Sequence, residues 1–328
     1  MTIRILQGDC RDVLRTLPDA SVHCVVTSPP YWGLRDYGVA GQIGLEPTYG
    51  EYVKRMVEIF RDVRRVLRAD GTLWLNLGDS YSNSDKGGYA KDRVTATDSM
   101  QRSNLGANFI GAPNRQPQAG LKPKDLCGIP WRVAFALQDD GWWLRQDIIW
   151  SKPNPMPESV TDRCTKAHEY LFMLAKSERY FYDQDAIAEP AVYAGDERHL
   201  RSDNTQVERE KPKQDGHSRR HAGFNSRYFT GSPQAETRNK RSVWTVTTQP
   251  FSEAHFGTFR STLIEPCILA GCPKGGTVLD PFFGAGTTGL VADRLGRDCI
   301  GIELNPAFVE MARKRIQADA GMFAEFSS

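Results

Sequence analysis

TVLDPFFGAGTTG, residues 277–289, joins a short apolar run to a glycine-rich segment, from which a helical pattern continues to Leu295. In α/β proteins a strand, a glycine turn and a helix form a nucleotide site, because glycine lets the backbone approach the ligand. The next apolar run, residues 299–302, ends at Glu303, and an acidic residue there can bind two ribose hydroxyls. Glu303 follows the first glycine by roughly 20 residues, the spacing of a βαβ unit. These residues predict a nucleotide site in an α/β fold.

The segment GAGTTG, residues 284–289, also satisfies the GxGxxG pattern of dinucleotide-binding proteins. An oxidoreductase that uses NAD is therefore one alternative. Against it, DPFF at residues 280–283 separates the predicted strand from the first glycine, whereas the dinucleotide fingerprint has the strand running almost directly into the glycines. A glycine turn that binds no ligand is the other alternative.

A second motif, TSPPY at residues 27–31, follows an apolar run at 22–26 that predicts a buried strand. Its two prolines fix φ at about −65° and remove two N–H donors, so the loop is stiff. The loop presents the Ser28 hydroxyl, bare carbonyl oxygens and the ring of Tyr31. It can accept hydrogen bonds from an amine while the ring stacks on a flat ligand, which suits the exocyclic amine of a nucleobase. A Pro-Pro turn with a surface tyrosine is the alternative interpretation.

Apolar periodicity predicts the remaining elements of an α/β layer architecture. Helices are expected at residues 10–17, 51–67, 130–140, 259–270 and 308–316. Strands are expected at residues 3–7, 22–26, 72–77, 142–150, 277–279 and 299–302, and residues 169–174 are expected to pair with 180–182 in a terminal hairpin. The predicted sheet is mixed, with about seven strands and helices on both faces.

Two long polar segments interrupt this pattern, at residues 82–124 and from residue 190 to 241. Residues 211–241 are rich in lysine and arginine and contain the aromatic residues Phe224, Tyr228 and Phe229. That composition is typical of a segment that follows a phosphate backbone, and a disordered basic loop is the alternative. The expected contacts to such a backbone are Arg219, Arg220, Arg227, Lys240 and Arg241.

The composition is that of an ordinary soluble globular protein: 328 residues, 40% hydrophobic, 25% charged and a net charge of +2. We expect no signal peptide and no membrane span, because no apolar stretch approaches the required length. The seven cysteines are scattered and form no CxxC pair. They predict reduced cytoplasmic thiols with neither a disulfide framework nor a metal site.

The two motifs together resemble a known family. Residues 280–288, with ELNP at 303–306, resemble the S-adenosylmethionine site of amino-group (N4-cytosine/N6-adenine) DNA methyltransferases, and TSPPY resembles their catalytic motif. The catalytic motif comes first, as in the β class of this family. The resemblance implies a Rossmann-like methyltransferase fold in a circularly permuted motif order, in which the last helix returns to the first strand.

The resemblance also implies roles for individual residues. Ser28, Pro29, Pro30 and Tyr31 would be catalytic. The cofactor would be bound by Asp9, Cys10, Thr27, Thr258, Asp280, Phe282, Gly284, Gly286, Thr287, Thr288, Glu303 and Asn305. Asp9 would lie beside the adenine ring, and Thr287 and Thr288 near the methionine end. Thr258 belongs to HFGTF at 255–259, which departs from the family pattern because Phe256 replaces the usual proline.

The serine of the motif favours N4-methylation of cytosine in double-stranded DNA, since adenine enzymes of this family more often carry Asp or Asn there. The base would leave the duplex, Tyr31 would stack on it, and its amine would attack the methyl group directly. N6-methylation of adenine is the alternative, and a non-catalytic DNA-binding module is another. Pro266-Cys267 matches the nucleophile motif of carbon-5 cytosine methyltransferases, but its position in a predicted helix indicates a core cysteine. His168-Glu169 is expected to be a structural pair, with contact to the base pocket as the alternative.

The predicted organisation has a catalytic half at residues 1–81, a polar insertion at 82–124 that is a lid or a DNA contact, and a continuation of the sheet at 125–189. Residues 190–250 are the expected target-recognition region, and 251–328 the cofactor-binding half. Double-stranded DNA is the expected partner. The resemblance also allows a homodimer and a companion restriction endonuclease, in the cytoplasm of a bacterium or a phage-infected cell, at the nucleoid.

Overall fold

The computed structural model describes residues 1–34, 36–82, 120–191, 237–248, 259–320 and 325–327. The chain divides into a large unit, Met1–Ala186 with Arg241–Ser328, and a small unit, Ile187–Lys240. Within the described ranges, no helix combines the length and the apolar character needed to cross a bilayer.

The described residues form eleven strands and six α-helices. The strands are β1 Thr2–Gln7, β2 Val22–Thr27, β3 Leu67–Leu77, β4 Trp143–Ser151, β5 His168–Ala175, β6 Glu189–Pro190, β7 Thr237–Arg238, β8 Val243–Thr245, β9 Thr277–Asp280, β10 Asp298–Glu303 and β11 Glu325–Ser327. The helices are α1 Cys10–Thr16, α2 Tyr49–Val66, α3 Ile129–Asp139, α4 Ser261–Gly271, α5 Thr287–Arg294 and α6 Pro306–Ala320.

Nine strands of the large unit form one mixed sheet in the order β11-β1-β10-β9-β2-β3-β5-β4-β8. The chain passes from β2 to β3 in one direction and from β9 to β10 in the other, so the strand order reverses between β2 and β9. β2 is parallel to both of its neighbours, β3 and β9. Open α/β sheets bind ligands at the carboxyl ends of the strands beside such a reversal. The sheet topology thus places a ligand site where residues 27–31 and 280–288 both leave the sheet.

The expected α/β architecture and permuted order are confirmed, because β11 pairs in parallel with β1, which in turn pairs with β10. Helices α1, α2 and α3 pack on one another, and α4, α5 and α6 form a second group. The sheet has nine strands within the described residues where about seven were expected. The two additional strands, β8 and β11, are three-residue strands at its edges.

The predicted terminal hairpin is wrong. β5 pairs antiparallel with both β3 and β4, and residues 180–182 form no strand. β5 therefore lies inside the sheet, and both of its partner strands precede it in the chain.

Local sequence explains the long helix α2. Thr48 caps its first turn through a capping box with Glu51, and its apolar stripe is buried in the main core. Strand β2 lies between two parallel strands, and its near-continuous apolar run matches burial on both faces. In the small unit, β6 and β7 pair antiparallel, and the Glu189 carboxylate lies 3.6 Å from both Arg238 and Lys240.

Candidate active site

Asp280, the last residue of β9, joins the two halves of the site. Its side chain is buried, with one carboxylate oxygen 2.6 Å from the Thr27 hydroxyl and the other 2.6 Å from the Thr288 hydroxyl. The Phe282 N–H donates to the same carboxylate at 3.0 Å. Burial raises the pKa of Asp280 to about 6, although the three hydrogen bonds oppose that shift. Asp280 therefore ties the end of β2 to the glycine turn and to the start of α5.

The glycine turn between β9 and α5 requires glycine at two positions. Gly284 has φ of 53° and Gly286 has φ of 76°, the left-handed region that other residues rarely adopt. A Cβ atom on Gly286 would also lie 2.9 Å from the Ala312 Cβ on α6. The hydroxyl of Thr287 accepts from Arg315 at 2.8 Å, and that of Thr288 is used by Asp280. Both predicted threonines are thus bonded within the protein through their hydroxyls.

Glu303, at the end of β10, is held by backbone donors. One oxygen accepts from the Gly284 N–H at 2.7 Å and the other from the Asn305 N–H at 2.8 Å. Burial raises the pKa of this carboxyl, and the backbone hydrogen bonds partly offset the effect. Since a carboxylate has about four acceptor positions, each oxygen keeps one for a ligand hydroxyl. Glu303 can therefore accept from the two hydroxyls of a ribose.

Asp9 lies at the same edge of the sheet, because β1 pairs with β10 in a register that sets Gln7 against Glu303. It caps α1 by accepting from the Arg11 N–H at 2.9 Å, and it forms an ion pair with the Arg11 guanidinium. The hydrogen bond from that guanidinium is the main cause that lowers the pKa of Asp9. Cys10 is buried, and desolvation raises the pKa of its thiol to about 12. Asp9 is therefore the polar group presented here, and Cys10 contributes apolar surface.

These residues fit S-adenosylmethionine by the chemistry of their donors and acceptors. Glu303 offers free acceptor positions for a ribose diol, and the turn at Gly284 allows close backbone approach. The half-buried ring of Phe282 packs on the main core and supplies an apolar wall beside them. Thr27 and Asn305 complete the predicted set at this edge, whereas Thr258 lies outside the described residues.

The TSPPY segment, which was predicted to be catalytic, leaves β2 beside β9 and the glycine turn. The Ser28 Oγ lies 3.4 Å from the Tyr31 hydroxyl and 3.3 Å from Asn76 Oδ1. The Tyr31 hydroxyl lies 2.9 Å from Asn76 Oδ1 and 2.7 Å from Glu169 Oε2. Burial, reinforced by the charge of Glu169, raises the pKa of Tyr31 well above its usual range, so the phenol keeps its proton.

Two further contacts fix the shape of this loop. The buried hydroxyl of Tyr52 on α2 donates to the Pro30 carbonyl at 2.9 Å. The ring of Tyr31 lies so close to Gly78 that a Cβ atom there would come within 2.7 Å of Tyr31 Cδ2. Pro29 is buried beneath the loop. The motif is therefore a rigid element held from three directions, as its prolines suggested.

Sequence reasoning missed part of this arrangement. Asn76 and Lys152 were not predicted, and Glu169 was expected to be structural, although it contacts Tyr31 and pairs with Lys152. Asn76 carries a recognisable signal, since it is a polar residue, 2% exposed, in the otherwise apolar strand segment LWLNL. Lys152, at the start of the proline-rich loop after β4, also lies over the Trp150 ring.

Other predicted residues are not brought into this site by the described structure. Arg219, Arg220 and Arg227 lie outside the described residues. Lys240 pairs with Glu189 in the small unit, and the Arg241 carbonyl accepts from the Trp244 indole at 2.7 Å. Cys267 is buried in α4, where its Sγ lies 3.6 Å from the Leu263 carbonyl oxygen, as expected for a core cysteine.

Comparisons with known proteins identify relatives along nearly the whole chain. A family model described as DNA methylase, N6_N4_Mtase, matches residues 22–314. The Type II methyltransferase M.XycI of Xanthomonas campestris pv. cyanopsidis is 48% identical over 313 residues, which cover 95% of this chain and 87% of the relative. The Type II methyltransferase M.Cfr9I of Citrobacter freundii is 47% identical over 315 residues, which cover 96% and 88%.

Solved structures share the fold at lower identity. The PvuII DNA methyltransferase, described as cytosine-N4-specific, has a TM-score of 0.61 and 18% identity, covering 96% of this chain and 86% of that one. A DNA modification methylase of Thermus thermophilus, solved with S-adenosyl-L-methionine, has a TM-score of 0.57 and 23% identity, covering 100% of both chains. Because the family model extends from strand β2 into the last helix α6, the chain belongs to the N6/N4 DNA methylases, a family of S-adenosylmethionine-dependent DNA methyltransferases.

Proposed function

We propose that the protein is a site-specific Type II methyltransferase that methylates the N4 amine of cytosine in double-stranded DNA. The observation that carries this proposal is the Ser28 hydroxyl at the end of β2, within 3.3 to 3.4 Å of Asn76 and Tyr31. The relatives that match most of the chain bear the Type II name. Serine at this position favours cytosine over adenine by the family resemblance.

The chemistry requires positioning more than acid–base catalysis. An exocyclic base amine is a poor nucleophile because its lone pair is delocalised into the ring. The Ser28 Oγ and the Pro29 carbonyl are placed on a stiff loop where both can accept its N–H groups, which favours a more tetrahedral nitrogen. S-adenosylmethionine, when bound, supplies the electrophilic methyl group, and no covalent link to the protein is needed.

The target base has to leave the duplex to reach this loop, which lies at the edge of the sheet. Tyr31 then offers its ring as the stacking surface, and its anchored hydroxyl keeps the ring in place. Asp9, Thr27, Phe282, Gly284, Glu303 and Asn305 form the cofactor site in this proposal, with Asp280, Gly286, Thr287 and Thr288 shaping it from within.

Target recognition falls to residues 190–250, with 82–124 as a second DNA contact or lid. The basic residues Arg219, Arg220, Arg227, Lys240 and Arg241 are the proposed phosphate contacts. A companion restriction endonuclease is a further proposal, suggested by the Type II relatives. A homodimer is a separate proposal. Gel filtration of the purified protein tests the dimer.

Mass spectrometry of nucleosides tests the base. Unmethylated DNA is incubated with the protein and isotope-labelled S-adenosylmethionine, and the digested product should contain labelled N4-methylcytosine. Labelled N6-methyladenine would instead establish the adenine alternative. Sequencing of the same product gives the target site. The Ser28→Ala variant should bind S-adenosylmethionine normally in a calorimetric titration and lose most of its turnover.

A further inference from the structure

The hydrogen bonds around Tyr31 have a defined direction. We use the name Tyr31 network for Ser28, Tyr31, Asn76, Glu169 and Lys152, which come from the catalytic loop, β3, β5 and the segment after β4. The Tyr31 hydroxyl lies 2.7 Å from Glu169 Oε2, 2.9 Å from Asn76 Oδ1 and 3.4 Å from Ser28 Oγ. A hydroxyl has one hydrogen, so only one of these contacts is a full donation from Tyr31.

Two neighbours can only accept from the hydroxyls. Asn76 Nδ2 donates to the Tyr170 carbonyl at 3.1 Å, which turns Oδ1 toward the loop. The Glu169 carboxylate forms an ion pair with Lys152, and each side chain is only 17% exposed. Charge-assisted hydrogen bonds are the stronger ones, and Glu169 is also the nearest acceptor to Tyr31. The phenol hydrogen therefore points to Glu169.

This leaves the Ser28 hydroxyl facing acceptors alone. Its hydrogen can go to Asn76 Oδ1 at 3.3 Å or to the Tyr31 oxygen at 3.4 Å, whose own hydrogen is used by Glu169. The lone pairs of the Ser28 oxygen are then directed away from the Tyr31 network. We propose that Glu169, held by Lys152, is a positioning residue that sets this direction and so presents Ser28 as a hydrogen-bond acceptor to the target amine.

The inference rests on the proposed function, in which Ser28 accepts from the amine. A positioning role for Glu169 and a purely structural role predict different results for one substitution. Glu169→Gln keeps the shape of the side chain, but Lys152 can only donate, so it attracts the amide oxygen and turns the amide N–H toward Tyr31. Tyr31 then has to direct its single hydrogen toward Asn76 or Ser28, so the direction of its hydrogen bond is reversed.

The experiment measures steady-state methyl transfer to unmethylated double-stranded DNA that the wild-type protein modifies. We expect Glu169→Gln to lower kcat by roughly ten- to a hundredfold, the range that corresponds to a hydrogen bond with a charged group. The KM for DNA and the Kd for S-adenosylmethionine should stay within about twofold of wild type, as expected for an interaction that acts in the transition state. Tyr31→Phe keeps the ring and should lower kcat similarly. The double variant Glu169→Gln/Tyr31→Phe should have a kcat no lower than either single variant, because both substitutions interrupt the same hydrogen-bond network.

Glu158→Gln is the matched control, because Glu158 pairs with Arg163 in the same connection between β4 and β5 and has no hydrogen bond with Tyr31. It should leave kcat unchanged. Wild-type kcat in Glu169→Gln, or additive losses in the double variant, would overturn the inference. If Glu169→Gln does not fold, Tyr31→Phe alone tests the inference, since it keeps the Glu169–Lys152 ion pair. A wild-type kcat in Tyr31→Phe would also overturn the inference. Full turnover by Ser28→Ala would instead refute the proposed catalytic role of the serine. Failure of the proposed function is thereby distinguished from failure of the inference about Glu169.

Discussion

Asp280→Asn tests the energetic cost of the charge that joins the two halves of the site. Burial raises the pKa of Asp280 from 3.8 to about 6, because a desolvated carboxylate is less stable than the protonated acid. At 1.36 kcal/mol for each pKa unit, ionisation of this buried group costs about 3 kcal/mol of folding free energy. Asparagine is neutral at every pH and avoids that cost.

The direction in which stability changes with pH follows from the raised pKa of Asp280. A group whose pKa is higher in the folded state stabilises the fold fully below its unfolded pKa and loses that contribution as the pH rises through its folded pKa. For Asp280 the loss runs from about pH 4 to about pH 7. We therefore expect the stability of the wild type relative to Asp280→Asn to fall by about 3 kcal/mol in total, of which about 2 kcal/mol is lost above about pH 4.5.

The assay is urea denaturation followed by circular dichroism at pH values from about 4.5 to 8, with both proteins measured in the same buffers. Asp319→Asn is the control, because its bond with Arg294 lowers the pKa of Asp319 and its contribution is therefore constant over this range. If the free-energy difference between wild type and Asp280→Asn does not change with pH, the buried charge carries no such cost and the reasoning is refuted.

Three other substitutions test neighbouring contacts. Gly78→Ala would place a Cβ atom within 2.7 Å of the Tyr31 ring. The protein should remain folded while kcat falls by roughly a hundredfold, and a wild-type kcat would contradict the close packing. Tyr52→Phe removes the 2.9 Å hydrogen bond to the Pro30 carbonyl and should lower the free energy of unfolding by about 1 kcal/mol; a denaturation curve that matches wild type would show the bond to be unimportant. Glu303→Gln sets an amide N–H against a backbone N–H, so the Kd for S-adenosylmethionine should rise at least about tenfold by calorimetry, and an unchanged Kd would remove this residue from the cofactor site.

The sequence alone predicted the features that depend on neighbouring residues. The run at 22–26 is apolar without alternation because β2 lies between two parallel strands, so its burial was visible in its composition. The glycine turn at 284–286 was recognisable because positive φ at two positions restricts the residue type. The order of the two motifs along the chain, together with the family resemblance, predicted the permuted sheet.

Only the tertiary structure decided which groups meet around those motifs. β5 was assigned to the wrong partner because its backbone pairs with strands β3 and β4, which come from earlier parts of the chain, and the local apolar pattern does not encode that pairing. Asp280 was predicted to bind the cofactor, but its hydrogen bonds to Thr288 and to Thr27 from the other half of the chain were not predicted. Glu169 and Asn76 reach Tyr31 from strands far away in sequence, and no local pattern encodes such a contact. Short-range sterics and burial fix the loop that carries Ser28, whereas the direction of its hydrogen bonds is set by side chains that only folding brings together.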